Sequence, residues 1–265
     1  MTKIFLRMVI VMMVFSFSAF SRTPVETFIY HVKEGHDFAP VTNLWQPDND
    51  FDKTALLTEY SKIQMLRMDM SQLATFMKQQ NFAISLSLPG INGGSYTVEL
   101  AKYDFRADDF TIHVAGGNGQ GRDIHELEGI YYRGVVKDIP GSIAAFSFYN
   151  DQVYGLFSIP GVGNFVIGSY STAGDVHYIL YNSADMLHPE NQPKCGSDLL
   201  QGANTLLSMA RTTSKVGEKL LNSCKQVKVY ELADYNTYQT KFSSLVLTTR
   251  YVAALFNSQS LIYKK

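Results

Sequence analysis

The residues of this sequence best suited to chemistry lie in one short segment, residues 192–198, which reads QPKCGSD. A cysteine thiolate binds zinc at about 2.3 Å, and a catalytic zinc keeps one coordination position open for water. Cys195, on an extended segment bounded by Pro193 and Gly196, could fill that position and displace the water. Lys194 would help to hold the sulfur as a thiolate. A zinc ligand that displaces the catalytic water is therefore one role that these residue types allow for Cys195.

The same cysteine has an alternative role. The chain contains two cysteines, Cys195 and Cys224. In an oxidising compartment they could pair, and a disulfide closing a loop of this length would stabilise the fold by roughly 3–4 kcal/mol. The residue types alone leave both roles open.

Two other motifs are weaker. The loop GGNGQG at residues 116–121 lacks the Gly-Lys-Ser/Thr ending of a P-loop and does not precede a helix, so it predicts a flexible hairpin loop. His125 and Glu126 begin like the zinc motif H-E-x-x-H, but Gly129 stands where the second histidine must be. We therefore assign no metal there. The remaining histidines have no ligand-like spacing: 31, 36, 113, 177 and 188.

The N-terminus predicts export. Lys3 and Arg7 precede a largely apolar run over residues 8–20, which is too short for a helix to cross a hydrocarbon core of about 30 Å. Residues 19–21 read AFS, so cleavage after Ser21 is expected. We expect a protein secreted to the extracellular space or periplasm, with no membrane attachment after signal cleavage.

Composition narrows the function classes further. The 265 residues are 46% hydrophobic and 18% charged, with a formal net charge of −1. This balance excludes a disordered polyelectrolyte and argues against a nucleic-acid partner. An aromatic fraction of 13% favours β structure.

The elements that would position residues 192–198 follow two patterns, a helical one and an alternating one. Residues 22–50 are a mixed segment rich in turn formers. Apolar residues at steps of three and four predict one long N-terminal helix over 53–80, capped by Asp52, although Asp69 and Ser71 could start a second helix after a break. Short alternating segments separated by Gly and Pro then predict an antiparallel sheet with short connections: 83–88, 96–100, 110–114, 130–136, 143–148, 153–159, 164–167 and 176–181.

The last quarter of the chain changes character. Residues 188–223 predict a connecting segment, 227–232 a strand and 235–265 a helix. A strand followed by a helix is the opening of an α/β unit, which needs parallel neighbours to bury both faces. No such neighbours follow, so we expect residues 226–265 to dock poorly, to aggregate or to be clipped.

The PKCGSD segment resembles the cysteine switch of metzincin zymogens, in which P-R-C-G-x-P-D, or a related P-K-x-C-G form, ends the propeptide. The matching residues are Pro193, Lys194, Cys195, Gly196 and Asp198. Lys194 stands in place of arginine, and one residue fewer precedes Asp198.

Flanking segments are similar to the same family in the same order. Residues 131–136, the turn 140–142 and residues 146–148 are similar to the core of a reprolysin-type propeptide. Residues 227–238 resemble the first strand of a reprolysin catalytic domain and the turn that follows it, and residues 249–263 resemble its first helix.

The resemblance implies the N-terminal part of a secreted, reprolysin-like zinc metallopeptidase precursor of α+β class. Its expected parts are a signal peptide (1–21), a β-rich antiparallel propeptide-like domain (22–190), a linker with the switch motif (191–225) and a truncated start of the catalytic domain, an incomplete α/β stub (226–265).

The implied function is latency. Cys195 would ligate the zinc of a complete metallopeptidase catalytic domain, normally in cis. This sequence contains no H-E-x-x-H-x-x-G-x-x-H motif, so we expect no peptide hydrolysis by this chain alone and no zinc held by it alone. The alternative is an exported, non-enzymatic β-rich binding module with a Cys195–Cys224 disulfide.

Overall fold

A ten-stranded mixed sheet organises the residues that the structure, a computed structural model, describes: 22–116, 121–171, 173–188, 229–241 and 243–262, without the side chain of Asn92. The strands among these residues are β1 (Ala39–Val41), β2 (Trp45–Pro47), β3 (Ile63–Met68), β4 (Ala83–Pro89), β5 (Ser95–Lys102), β6 (Ile112–Ala115), β7 (Gly121–Ile124), β8 (Ile130–Val136), β9 (Ile143–Phe148), β10 (Val153–Ile159), β11 (Gly163–Ser169) and β12 (His177–Asn182). The class is α+β, as the sequence predicts.

The order within the sheet is β1-β4-β5-β8-β9-β10-β11-β12-β3-β2. The β1–β4 pair is parallel, the other pairs are antiparallel, and β6 pairs with β7 in a separate hairpin. The described helices are α1 (Pro24–Gly35), α2 (Met70–Gln79), α3 (Tyr235–Thr240) and α4 (Leu245–Ile262), with short 3-10 turns at Leu56–Thr58, Ile91–Gly93 and Ser183–Asp185.

The sheet curls so that β2, at one end of the order, contacts β4 near the other end. The concave side encloses a large apolar core to which α2 contributes Leu73 and Phe76. The Phe76 ring lies 4.6 Å from that of Phe148, centroid to centroid. Burial of this aromatic core is the main stabilising contribution of the fold.

The convex side of the central strands is covered as well. Helix α1 packs on β8 and β5, and α4 packs on β9 with contacts to β8 and β10. With both faces covered, β8 and β9 are buried almost throughout, which explains why their sequences are mostly apolar, with Arg133 and Ser147 as the polar exceptions. Strand β10, by contrast, alternates between buried and half-buried residues.

The predicted strands between residues 83 and 182 are confirmed. Strands β8 to β12 form a meander of antiparallel neighbours, in which Gly155 pairs with Phe146 on one side and Ile167 on the other. The turns between them carry residues with a positive φ, such as Asp138 and Gly161. Period-two patterning and turn residues therefore determine this half of the fold.

The long N-terminal helix predicted over residues 53–80 is wrong for most of its length. Residues 63–68 form β3, which pairs with both β12 and β2, and helix α2 begins only at Met70. Asp69 is the N-cap of α2 and accepts from the amides of Ser71 and Gln72, which agrees with the second-start alternative. Asp52 accepts from the amide of Thr54 and starts no helix.

Two further expectations differ from the structure. The turn-rich segment 22–50 contains α1, which begins with a capping box in which Thr23 and Glu26 bond reciprocally to each other's amides. The strand predicted over 227–232 is not formed in the part that the structure describes. Residues 229–234 belong to no helix or strand, and Tyr230 is 81% exposed. A strand without a pairing neighbour is not stable in water, which accounts for the second difference.

Candidate functional site

The predicted switch residues lie outside the described part of the chain. Residues 189–228 contain Pro193, Lys194, Cys195, Gly196 and Asp198, and also Cys224. The structure describes the elements before and after this segment: strand β12, which lies between β11 and β3 in the sheet, and the helices α3 and α4.

The chain is fixed where it reaches this segment. The amide of Leu187 donates to the carbonyl of Glu59 at 2.8 Å, and the amide of Ser61 donates to the carbonyl of Asp185 at 2.7 Å. Tyr60 and Met186 form an antiparallel bridge between them. The chain is therefore anchored, just before the segment with the switch motif, to the residues that precede β3.

After the segment, α4 returns to the sheet through Arg250. Its guanidinium donates to Glu128 Oε2 through Nε at 3.0 Å and Nη2 at 2.6 Å, and to Asp151 Oδ1 at 2.7 Å. The Tyr149 hydroxyl donates to the carbonyl of Arg250 at 2.8 Å. Burial opposes the charge, but the bonds and charges of the two carboxylates outweigh it and raise the pKa of Arg250.

A second buried cation, Arg133 on β8, meets the same helix. Its Nε donates to Asn257 Oδ1 at 3.1 Å and its Nη2 to Ser260 Oγ at 2.5 Å, while the guanidinium lies 3.9 Å over the Tyr103 ring. No carboxylate in the described ranges lies within ion-pair distance of Arg133. Burial lowers the pKa of Arg133 to about 10.

Asn257 completes this contact. It is 0% exposed, and its Nδ2 donates to the carbonyl of Phe146 and to Ser147 Oγ, both at 3.2 Å. These contacts hold α4 on β8 and β9 and form a docking site for the helix. The expectation that residues 226–265 dock poorly is therefore wrong for α4.

The other motifs fall elsewhere. The residues of GGNGQG connect β6 to β7, as the hairpin prediction requires, with 117–120 outside the described part. His125 lies beyond the end of β7, with its Nδ1 3.4 Å from Thr111 Oγ1. His177 Nδ1 lies 2.8 Å from Asp48 Oδ2. Within the described ranges no group of three or more His, Cys, Asp or Glu could hold a metal ion.

Sequence reasoning missed Arg250 and Asn257 because it considered only the apolar residues of the predicted helix. The buried residues of α4 are Thr248, Arg250, Ala253, Ala254, Asn257 and Leu261, of which only Leu261 is a large apolar residue. All of these positions except Thr248 share one helical face, at steps of three and four. Two alanines between two polar residues on one face were the available signal, since small residues let a helix approach a sheet closely.

Comparison with known proteins found no match: no protein family model matches this chain, and no curated protein matches it in sequence. None of the helices described here is both long and apolar enough to cross a membrane.

Proposed function

We propose that this chain is an exported latency domain, in which Cys195 binds the zinc of a metzincin-type metallopeptidase catalytic domain. The observation that carries the proposal is the PKCGSD motif, placed after a β-rich unit that is anchored at its exit. Cys195 lies seven positions after His188, and seven extended residues span at most about 25 Å. The thiol is therefore within reach of a catalytic domain seated beside the bridge between Tyr60 and Met186.

The position of α1 supports export. Its N-cap is Thr23 and its first residue is Pro24, so cleavage after Ser21 leaves the capping box with Glu26 complete. The signal peptide can be removed without loss of a described element. Mass spectrometry of the protein recovered from the culture medium or periplasm tests this: a mature N-terminus at Arg22 is expected.

The switch is tested with the full chain and a metzincin-type metallopeptidase catalytic domain. We expect inhibition by the native chain that is lost in Cys195→Ala and retained in Cys224→Ala, the matched control. With cobalt in place of zinc, a thiolate-to-cobalt charge-transfer band should accompany inhibition, since only a thiolate ligand produces it. Equal inhibition by both variants, or no such band, contradicts the proposal.

One observation favours a second candidate, the exported non-enzymatic binding module with a Cys195–Cys224 disulfide. Helix α4 is held by Arg133 and Asn257 on the same sheet that precedes the 189–228 segment. That segment therefore connects two parts of one packed unit, and a disulfide within it would stabilise the unit by roughly 3–4 kcal/mol. Thiol titration of the exported protein separates the candidates: two free thiols support the switch, and none supports the disulfide.

A further inference from the structure

The segment over residues 229–233 is an exposed apolar stretch whose backbone is unpaired in the described structure. Val229, Tyr230 and Leu232 are between 58% and 81% exposed. No amide or carbonyl of residues 229–233 makes a hydrogen bond with another residue of the described part. A contiguous stretch of exposed apolar side chains marks an interaction site. Since valine and tyrosine favour β structure, the interaction that suits this segment is pairing with a neighbouring strand.

The β6–β7 hairpin offers a free edge for such pairing. Among the described strands, β6 and β7 pair only with each other, so each has one unpaired side. A two-stranded ribbon is marginally stable in water, and a third strand would stabilise it. The end strands of the ten-stranded sheet, β1 and β2, carry Pro40 and Pro47, which cannot donate to a further strand. Of the described edges, those of the hairpin therefore best admit another strand.

Charge selects β7 as the edge that fits the segment. Arg122 on β7 and Glu231 are both exposed, and neither forms an ion pair in the described ranges. Strand β6 contains no lysine or arginine. An antiparallel register with Glu231 opposite Arg122 also places Val229 opposite Ile124 on the same face of the sheet. One alignment therefore provides a cross-strand ion pair and a cross-strand apolar pair.

We propose that residues 229–232 of one copy of this chain add as a third strand to β7 of a second copy. The partner is a second copy because one chain carries both complementary parts, and no hydrogen bond joins these parts within the copy described. A two-fold axis lets each copy donate its segment and accept the other, so that the contact occurs twice and the assembly closes as a dimer. This pairing does not depend on the role of Cys195.

Sedimentation equilibrium of the native chain, in a thiol reductant that excludes intermolecular disulfides, measures this association. We expect a reversible, concentration-dependent dimer, and the amides of residues 229–232 and of β7 should exchange more slowly with solvent as the dimer forms. A chain that stays monomeric up to about 1 mM overturns the proposal. Slow exchange of the same amides in the monomer would mean that the segment pairs within its own copy, which also overturns it.

Charge reversal identifies the paired strands. Glu231→Arg and Arg122→Glu each place like charges opposite one another twice per dimer, so each variant alone should associate more weakly by about tenfold. An equimolar mixture of the two variants should regain the native association, because both contacts of the mixed dimer then pair opposite charges. Lys53→Glu, on an exposed loop, is the matched control and should associate as the native chain does. Native association of both single variants, or no recovery in the mixture, contradicts the pairing with β7.

Discussion

Asn257 joins a helix to the sheet with a single polar side chain. Replacing it with leucine removes the bonds to Phe146, Ser147 and Arg133, and leaves the buried guanidinium short of an acceptor. We expect Asn257→Leu to lower the free energy of unfolding by about 2–4 kcal/mol, measured by urea denaturation. Gln259→Leu, on the exposed side of the same helix, should change it by at most about 0.5 kcal/mol. Equal losses would mean that the contact carries no special weight.

Buried tyrosines predict the alkaline limit of stability. Burial raises the pKa of Tyr131 and of Tyr154 to about 12, from the ordinary value of 10.0. Since the folded state holds these protons more tightly than the unfolded state, stability is full below pH 10 and falls as the pH rises from 10 toward about 12. The native chain should unfold in that window. An alkaline titration followed by phenolate absorbance and circular dichroism measures both events.

The matched variants for this prediction are two phenylalanine substitutions. Tyr131→Phe should flatten the decline in stability between pH 10 and about 12, because it removes one proton that only the folded state retains there. Tyr230→Phe, at a position that is 81% exposed, should leave the profile unchanged. The same flattening in both would contradict the assignment of the decline to Tyr131.

At the scale of elements, the approach of β8 to β5 depends on Gly134. A Cβ there would overlap the backbone carbonyl of Glu99, whereas a Cβ at Gly168 on β11 would meet only Tyr154 Cδ1, at 3.9 Å. Since backbone cannot move aside as a side chain can, Gly134→Ala should destabilise the fold by about 3 kcal/mol or more. Gly168→Ala should be tolerated within about 1 kcal/mol. Thermal denaturation of the two variants makes the comparison, and equal losses would contradict it.

How far the sequence determines an element depends on what buries it. Strands β8 to β12 were predictable because each pairs with a neighbour in sequence across a short turn. Strand β3 was not, because its partners β12 and β2 lie on either side of it in the sheet and β12 is more than a hundred residues away. Its Met-rich sequence suits a helix as well as a strand, and the distant pairing decides.

The face of α4 that packs on the sheet could not be predicted from the sequence, for a related reason. Its buried polar residues are satisfied only by groups from other elements, such as Arg133 for Asn257 and Glu128 for Arg250. A comparison of the faces of α4 by their hydrophobicity therefore does not select the face that packs on the sheet. The candidate switch residue Cys195 is the opposite case, since its motif was visible in the sequence and lies outside the described residues.

At the scale of the whole molecule, the question is whether α4 and the sheet unfold as one unit. Trp45 is the one tryptophan of the chain, is 3% exposed, and lies 5.9 Å from Tyr178, ring to ring. It belongs to β2, while α4 contacts β8, β9 and β10. Its fluorescence therefore reports on a part of the sheet that α4 does not touch.

Arg250→Met tests this coupling. The variant removes the contacts to Glu128 and Asp151, whose carboxylates are 59% and 42% exposed and regain water. The expected loss is therefore modest, about 1–2 kcal/mol. If α4 and the sheet are one cooperative unit, the Trp45 transition in urea and the hydrogen exchange of the α4 amides shift by the same free energy. Arg22→Met, an exposed arginine on the Tyr30 ring, is the control and should shift neither.

The two outcomes bear differently on function. A common shift makes α4 an integral part of the β unit, which is the arrangement that a single exported binding module requires. Faster exchange in α4 with an unchanged Trp45 transition makes it a separately detaching element, as expected of a segment that belongs to an adjoining catalytic domain. Because Arg250 lies on α4 itself and Trp45 on β2, one variant with two probes distinguishes these arrangements without reference to either cysteine.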